Sequence, residues 1–313
     1  FVEDFTSNIL GIQSQHIGAL STRQFSIFET WVLSTLNTDR IAALKPKHLK
    51  SISSKQFSFL TTSQMSAIQT ADLNSIGSYN IRLLETTQVK QFTTNQVSAL
   101  NTEQIIKLSE SKKLHGLTTA AIQVLSTKQF SLFSSANLPL LSTSQVVAIQ
   151  SRDIPFINSF GFGLMTSNQL ESFTTQQMTK ITTRQFSVIN SNVISSLSTS
   201  QISVFTTKQM VGMASEMLTF MNSAQLTGYT TKTIASLDSR QIKGLSTDIR
   251  GLNTHQVAAL NTLQVKTLLT NQIDLMTSNQ IAAIETRDFI QLTTLNFQAL
   301  DSVQIGAFTT AQV

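Results

Sequence analysis

Leu60-Thr61-Thr62-Ser63-Gln64-Met65-Ser66-Ala67-Ile68 contains the pattern from which the rest of the chain can be read. Its two strongest apolar positions, Met65 and Ile68, are three residues apart, which puts them on one face of a helix and not on the alternating face of a strand. Thr61 followed by Gln64 has the spacing of a capping box. The Thr hydroxyl takes the Gln backbone N–H, and the Gln side chain reaches back to the Thr N–H. Leu60 and Met65 then stand at the two positions of a hydrophobic staple across the helix start. The spacing predicts a helix of under two turns, beginning at the second hydroxyl residue and ending near the second apolar one.

The same unit recurs at a fixed period in both directions. Gln24, Gln56, Gln64, Gln88, Gln96 and Gln104 all fall on multiples of eight. Phe25, Phe57, Met65, Val89 and Val97 follow one residue later, and Phe28, Leu60, Ile68, Phe92 and Leu100 three residues after those. Dividing the 313 residues by eight gives about 39 copies. The period slips twice. From Leu108 to Leu117 is one residue too many, so Gln129, Gln145, Gln169, Gln185, Gln201 and Gln241 are displaced by one. From Leu245 to Leu252 is one too few, and Gln256, Gln264, Gln272, Gln280, Gln304 and Gln312 return to the original phase. No linker interrupts the array, which reads as one domain over residues 1–313 with phase shifts near 109–117 and 245–252, opening and stopping within the pattern as a fragment of a longer chain.

Isolated helices of this length do not persist in water, so each copy must be held by its neighbours. The predicted fold is therefore an all-α solenoid of tandem eight-residue repeats. A parallel β-solenoid is the alternative, since hydroxyl rows and amide ladders occur there too. With 11 Gly in the chain, most turns cannot use a left-handed glycine, and the chain is expected to leave each helix through an extended cap residue. Pro46 falls at a first helical position, where its missing N–H is harmless. Pro139 and Pro155 fall inside expected helices and call for distorted or 3₁₀ turns. The neutral Gln avoids the repulsion of stacked carboxylates and is expected to bond other amides along the axis.

Composition limits the chemistry. Charged residues make up 12%, Cys is absent and there are 4 His, whereas about 25% charge is usual in globular domains. Disulfides and thiolate metal sites are excluded within the chain. Ser and Thr total about 80 residues, but capping accounts for them, and a serine without a positioned base is inert. No phosphate loop or nucleophile turn occurs. Gly161-Phe162-Gly163 lacks the third glycine of a dinucleotide fingerprint and reads as an irregular repeat. His16, His48, His115 and His255 read as scattered surface histidines. Lys45, Lys47, His48 and Lys50, and separately Lys112 and Lys113, read as solvated tips. Trp31 and Tyr79 are expected to be exposed, and Met210, Met213, Met217 and Met221 to belong to the core. The net charge of +5 is thinly spread, which implies no nucleic-acid partner. No apolar run is long enough to span a membrane. No catalytic, cofactor or metal site is expected, and the chain reads as a non-enzyme.

Two resemblances bear on function. Leu141 to Ser151, LSTSQVVAIQS, locally resembles the opening helix of the plant-pathogen TAL effector repeat. That repeat is about four times longer and reads bases through a loop without counterpart here, so DNA reading is rejected. LTTSQMSAI (60–68), FTTNQVSAL (92–100) and LNTHQVAAL (252–260) resemble the repeat regions of giant secreted or surface adhesin-like proteins of Gram-negative bacteria. The resemblance implies an extracellular or cell-surface structural role: a stalk, filament, sheath or tube wall built by self-association. The alternative is an adhesin or binding module recognising glycan, another cell surface or ice through its Ser/Thr rows.

Overall fold

The computed structural model describes residues 11–313; the first ten residues of the expected array lie outside them. Among the described residues there are only α-helices, 3₁₀-helices and their connections, and no strand. The α-helices run four to six residues, with one of nine, Thr102–Glu110. They begin where the spacing predicts. Thr62–Ala67 starts at the second hydroxyl residue, with Thr61 as N-cap in extended geometry and Ile68 as an extended C-cap. The Thr61 hydroxyl accepts from Gln64 N at 3.3 Å, and Thr61 N donates to Gln64 Oε1 at 2.8 Å. No glycine among the described residues has positive φ, and the corner after Thr62–Ala67 is made by two consecutive extended residues, Ile68 and Gln69.

Most octads turn their apolar pair inward, whereas Phe297 and Ile305 are exposed. Leu60, Met65, Ile68, Val97 and Leu100 are all buried, each such side chain contributing about 1.5–3 kcal/mol by its removal from water. Met210, Met213 and Met221 join this core and Met217 is half-buried. Helix Thr38–Ala42 packs on Thr62–Ala67, and Thr30–Thr35 on Ser54–Ser58, each pair 24 residues apart. The small residue of the octad allows these approaches. A Cβ on Gly212 would lie 2.6 Å from the Thr183 carbonyl oxygen one coil earlier.

Pro46 opens helix Pro46–Ser51. Pro139 and Pro155 lie in the 3₁₀ segments Leu138–Leu140 and Ser151–Phe156, as their missing N–H groups require. Of the other four 3₁₀ segments, Leu114–Gly116 lies at the first phase slip and three share a feature. Thr70–Ser75, Ser215–Phe220 and Ser246–Gly251 carry Asp72, Met217 and Asp248 where Gln would stand. They also carry Gln69, Ala214 and Leu245 at the cap, so neither half of the capping box is present. Glu29 with Val32, and Glu285 with Asp288, lack the box as well, yet their segments remain α-helical. Gly161-Phe162-Gly163 lies in the short helix Ser159–Gly163, with Gly161 in the place of Gln and its N donating to Asn158 Oδ1.

The chain divides between Gly161 and Phe162 into two units. The same octad grammar and the same coil-to-coil bonding occur within each.

Candidate functional site

The feature with most chemistry in it is the Gln of the octad, and it does more than cap. Gln64 is buried, and its Nε2 donates to the carbonyl oxygens of Leu33 and Leu36, both at 2.7 Å, 31 and 28 residues earlier. Gln88 reaches Leu60 at 2.7 Å, Gln96 reaches Ile68 at 2.7 Å and Gln104 reaches Ile76 at 3.0 Å, each 28 residues back. In the second unit Gln201, Gln225 and Gln304 bond Phe173, Leu197 and Met276 over the same interval. These amides therefore bond backbone of the preceding coil, not one another as the sequence reading expected. The carbonyls at each helix end have no partner within so short a helix. A side chain with an acceptor and a donor on one head satisfies a cap N–H of its own helix and helix-end carbonyls of the coil before.

The interval fixes the coil at 28 residues, three and a half octads. Each Gln consequently sits over the junction between two earlier octads.

Where Gln is replaced, the substitute shows what the position requires. His48 is fully buried: Nδ1 accepts from Lys45 N at 3.1 Å and Nε2 donates to Leu20 O at 2.8 Å, again 28 residues back. It is a structural clamp, so the expectation of a surface histidine or solvated tip fails for it, while Lys45, Lys47 and Lys50 around it are exposed. Asn80, Asn137 and Asn296 donate to Ile52, Ser109 and Leu268 at the same interval. Aspartate cannot donate. Asp153 and Asp288 instead accept from the hydroxyls of Thr127 and Thr262, 26 residues back, and Asp248 accepts from Ser223.

The two phase slips have a common signature. Lys112 (φ 57°) and Ser246 (φ 45°) are the two non-glycine residues with positive φ among the described residues, and one stands at each slip. Across the first slip the clamp interval lengthens to 29, from Gln129 to Leu100; across the second it shortens to 27, from Gln256 to Tyr229 and from Gln264 to Leu237. The bond is kept and the count gives way.

At the first slip a groove of about 500 Å³ opens over three successive coils, lined by Thr87, Lys90, His115, Gly116, Thr119 and Ser142 among others. His115 Nδ1 donates to Lys112 O at 2.8 Å. Lys113 pairs with Glu85 at 2.8 Å. His16 and His255 are exposed, and no group of three or more His, Asp or Glu side chains among the described residues could hold a metal ion. Trp31 and Tyr79 are exposed, as their positions predict. Among the described residues no helix is long and apolar enough to cross a membrane.

The comparison with curated proteins finds no match. A family model described as ALTTAQ repeat matches residues 65–102 and 281–313. The matched stretches contain Phe92-Thr93-Thr94-Asn95-Gln96 and Phe308-Thr309-Thr310-Ala311-Gln312, in which the cap and the clamping Gln of the octad stand together. Over these two regions, one in each unit, the chain is similar to the ALTTAQ repeat.

Proposed function

We propose that the protein is a structural component of an extracellular or cell-surface assembly, a filament, stalk, sheath or tube wall built by association of like chains. The observation that carries this is the 28-residue clamp. Within each unit it sets most octads in the same relation to the coil before, so one local rule can be repeated along a longer array. Sparse charge, at 12% of residues, lowers the repulsion between neighbouring chains. Exposed hydroxyls that recur with the octad offer many equivalent weak contacts along such an array. Head-to-tail or lateral contacts that do not close produce filaments and not discrete oligomers. The absence of Cys, the low charge and the resemblance to secreted and surface repeat proteins support the location. Electron microscopy of the native material, with sedimentation over a hundredfold range of concentration, tests the reading. Ordered lateral arrays are expected, and single unassociated rods at every concentration overturn it.

A further inference from the structure

We propose that the face of the first unit that runs through Trp31, Phe59, Thr87 and Gly116 binds a neutral polysaccharide of pyranose rings, laid along the axis of the coil. Residues one coil apart share a side of the solenoid, and this column follows that interval. Phe59 is 28 residues after Trp31 and Thr87 is 28 after Phe59, while Gly116 is 29 after Thr87, the extra residue being that of the first slip. Bonds beside the column hold it in register. Gln56 Nε2 donates to Phe28 O at 2.7 Å beneath the first step and Gln88 Nε2 to Leu60 O at 2.7 Å beneath the second. The Lys113–Glu85 ion pair at 2.8 Å ties the third.

Trp31 is 49% and Phe59 53% exposed, whereas the apolar pairs of the same octads are buried. Neither ring contributes to the core. At the place of Trp31 the neighbouring octads carry Arg23, Asp39, Lys47 and Lys55, and at the place of Phe59 they carry Ala43, Ser51 and Ala67. Two aromatic faces one coil apart form a platform for the C–H faces of successive sugar rings. One step further the platform gives way to the groove at the slip, with the hydroxyls of Thr87, Thr119 and Ser142 and the imidazole of His115 along it. Gly116 keeps that recess possible, since a Cβ there would meet the Thr86 carbonyl oxygen at 2.8 Å. Hydroxyls both donate and accept, which is what a sugar ring asks of its site.

The charges along the column are few. Glu29 stands two residues from Trp31, Lys55 four before Phe59, and Lys90 lines the groove, while Glu85 is paired with Lys113. An excess of one lysine is thin for a nucleic acid or an anionic lipid surface, each of which draws on several cations in array.

Trp31 is the chain's one tryptophan, so its emission reads the column directly. The full chain is titrated with cellohexaose, xylohexaose, mannohexaose and chitohexaose, and separately with anionic phospholipid vesicles and polyuridylate. A saturable change in Trp31 emission is expected with at least one hexaose and none with vesicles or polyuridylate. Phe59→Ala is expected to weaken the sugar about three- to tenfold. Tyr79→Ala, 20 residues beyond Phe59 and so on another side of the coil, is expected to leave it unchanged. If Phe59→Ala loses its helical circular dichroism, Phe59→Leu takes its place, since it keeps an apolar side chain and removes the ring. No saturable change with any hexaose, an equal loss in Tyr79→Ala, or a response to vesicles or polyuridylate alone overturns the proposal.

Discussion

The side-chain nitrogen of Gln96 lies 2.7 Å from the carbonyl oxygen of Ile68, and its side-chain oxygen 2.9 Å from the backbone nitrogen of Thr93. One amide thus closes its own helix and fastens that helix to the coil before. Gln96→Ala removes both bonds and leaves buried carbonyls without donors. It is expected to cost about 2–4 kcal/mol, the sum of the lost bonds and the desolvated groups. Gln96→Glu keeps the acceptor but turns an oxygen toward the Ile68 carbonyl, and is expected to be the worse of the two. Urea denaturation of both variants measures the order; a milder effect for Glu than for Ala would refute the clamp as described.

His48 occupies the same place with both ring nitrogens engaged, to Lys45 N and Leu20 O. His48→Gln restores the common residue and is expected to change stability by less than about 1 kcal/mol, while His48→Ala costs about 2–3 kcal/mol. Thermal melts of the two variants decide this.

Lys112 and Ser246 hold left-handed backbone without being glycine. Replacing either with Gly relieves that conformation and is expected to raise stability by about 0.5–1 kcal/mol. A β-branched residue at the same place is expected to lower it. Paired Gly and Val variants at each position, compared by denaturant midpoint, give the sign.

Leu100 is 3% exposed, and its carbonyl accepts from Gln129 Nε2 at 2.9 Å. Leu100→Ala is expected to cost about 2–5 kcal/mol. The loss should fall first on octads one coil away, because each repeat is supported by its neighbours. Hydrogen exchange should show faster exchange in residues 65–75 and 125–135 before residues beyond 250. An equal increase everywhere would show a single cooperative unit instead.

Tyr229 is buried, its hydroxyl donating to Met221 Sδ at 3.1 Å, and burial raises its pKa well above the ordinary 10.0. The folded phenol keeps its proton to higher pH than the unfolded one. The associated stability is therefore intact below pH 10 and declines as pH rises beyond it, by up to about 1.4 kcal/mol per pH unit. Tyr229→Phe is expected to remove that slope while leaving neutral-pH stability within about 1 kcal/mol. Denaturation curves from pH 8 to 12 compare the two proteins.

The local half of this architecture is legible in the sequence because it is written in short intervals. Thr61, Gln64, Met65 and Ile68 lie within one octad, and their spacing alone fixes the cap, the helix and the core face. The turns at Pro139 and Pro155 are legible for the same reason. The length of the coil is not, because it depends on where Gln64 Nε2 finds Leu36 O, a bond across 28 residues with no trace in the residues between. A signal for the clamp was nevertheless present. A capping box accepts Glu as readily as Gln, yet this chain uses Gln, and His48, Asn80 and Asn296 can also donate a proton, although Asp72, Asp153, Asp248 and Asp288 at the same place cannot. That preference marks a donor's task, and it separates His48 from His255, which stands one place before Gln256, though not from the exposed His16, which shares the position of His48.

The half-octad in the coil length has one more consequence, which concerns how such a chain can grow. Successive courses are laid like bricks, with the Gln of one octad reaching the seam between two octads below, as Gln64 does between Leu33 and the helix that follows Leu36. Because the rule refers each octad to a point 28 residues behind it and not to the start of a coil, gain or loss of a single octad leaves the others correctly bonded. The quantum of length is eight residues. In-frame duplication or deletion of one repeat lengthens or shortens the wall by a fraction of a course without leaving a fault in the masonry.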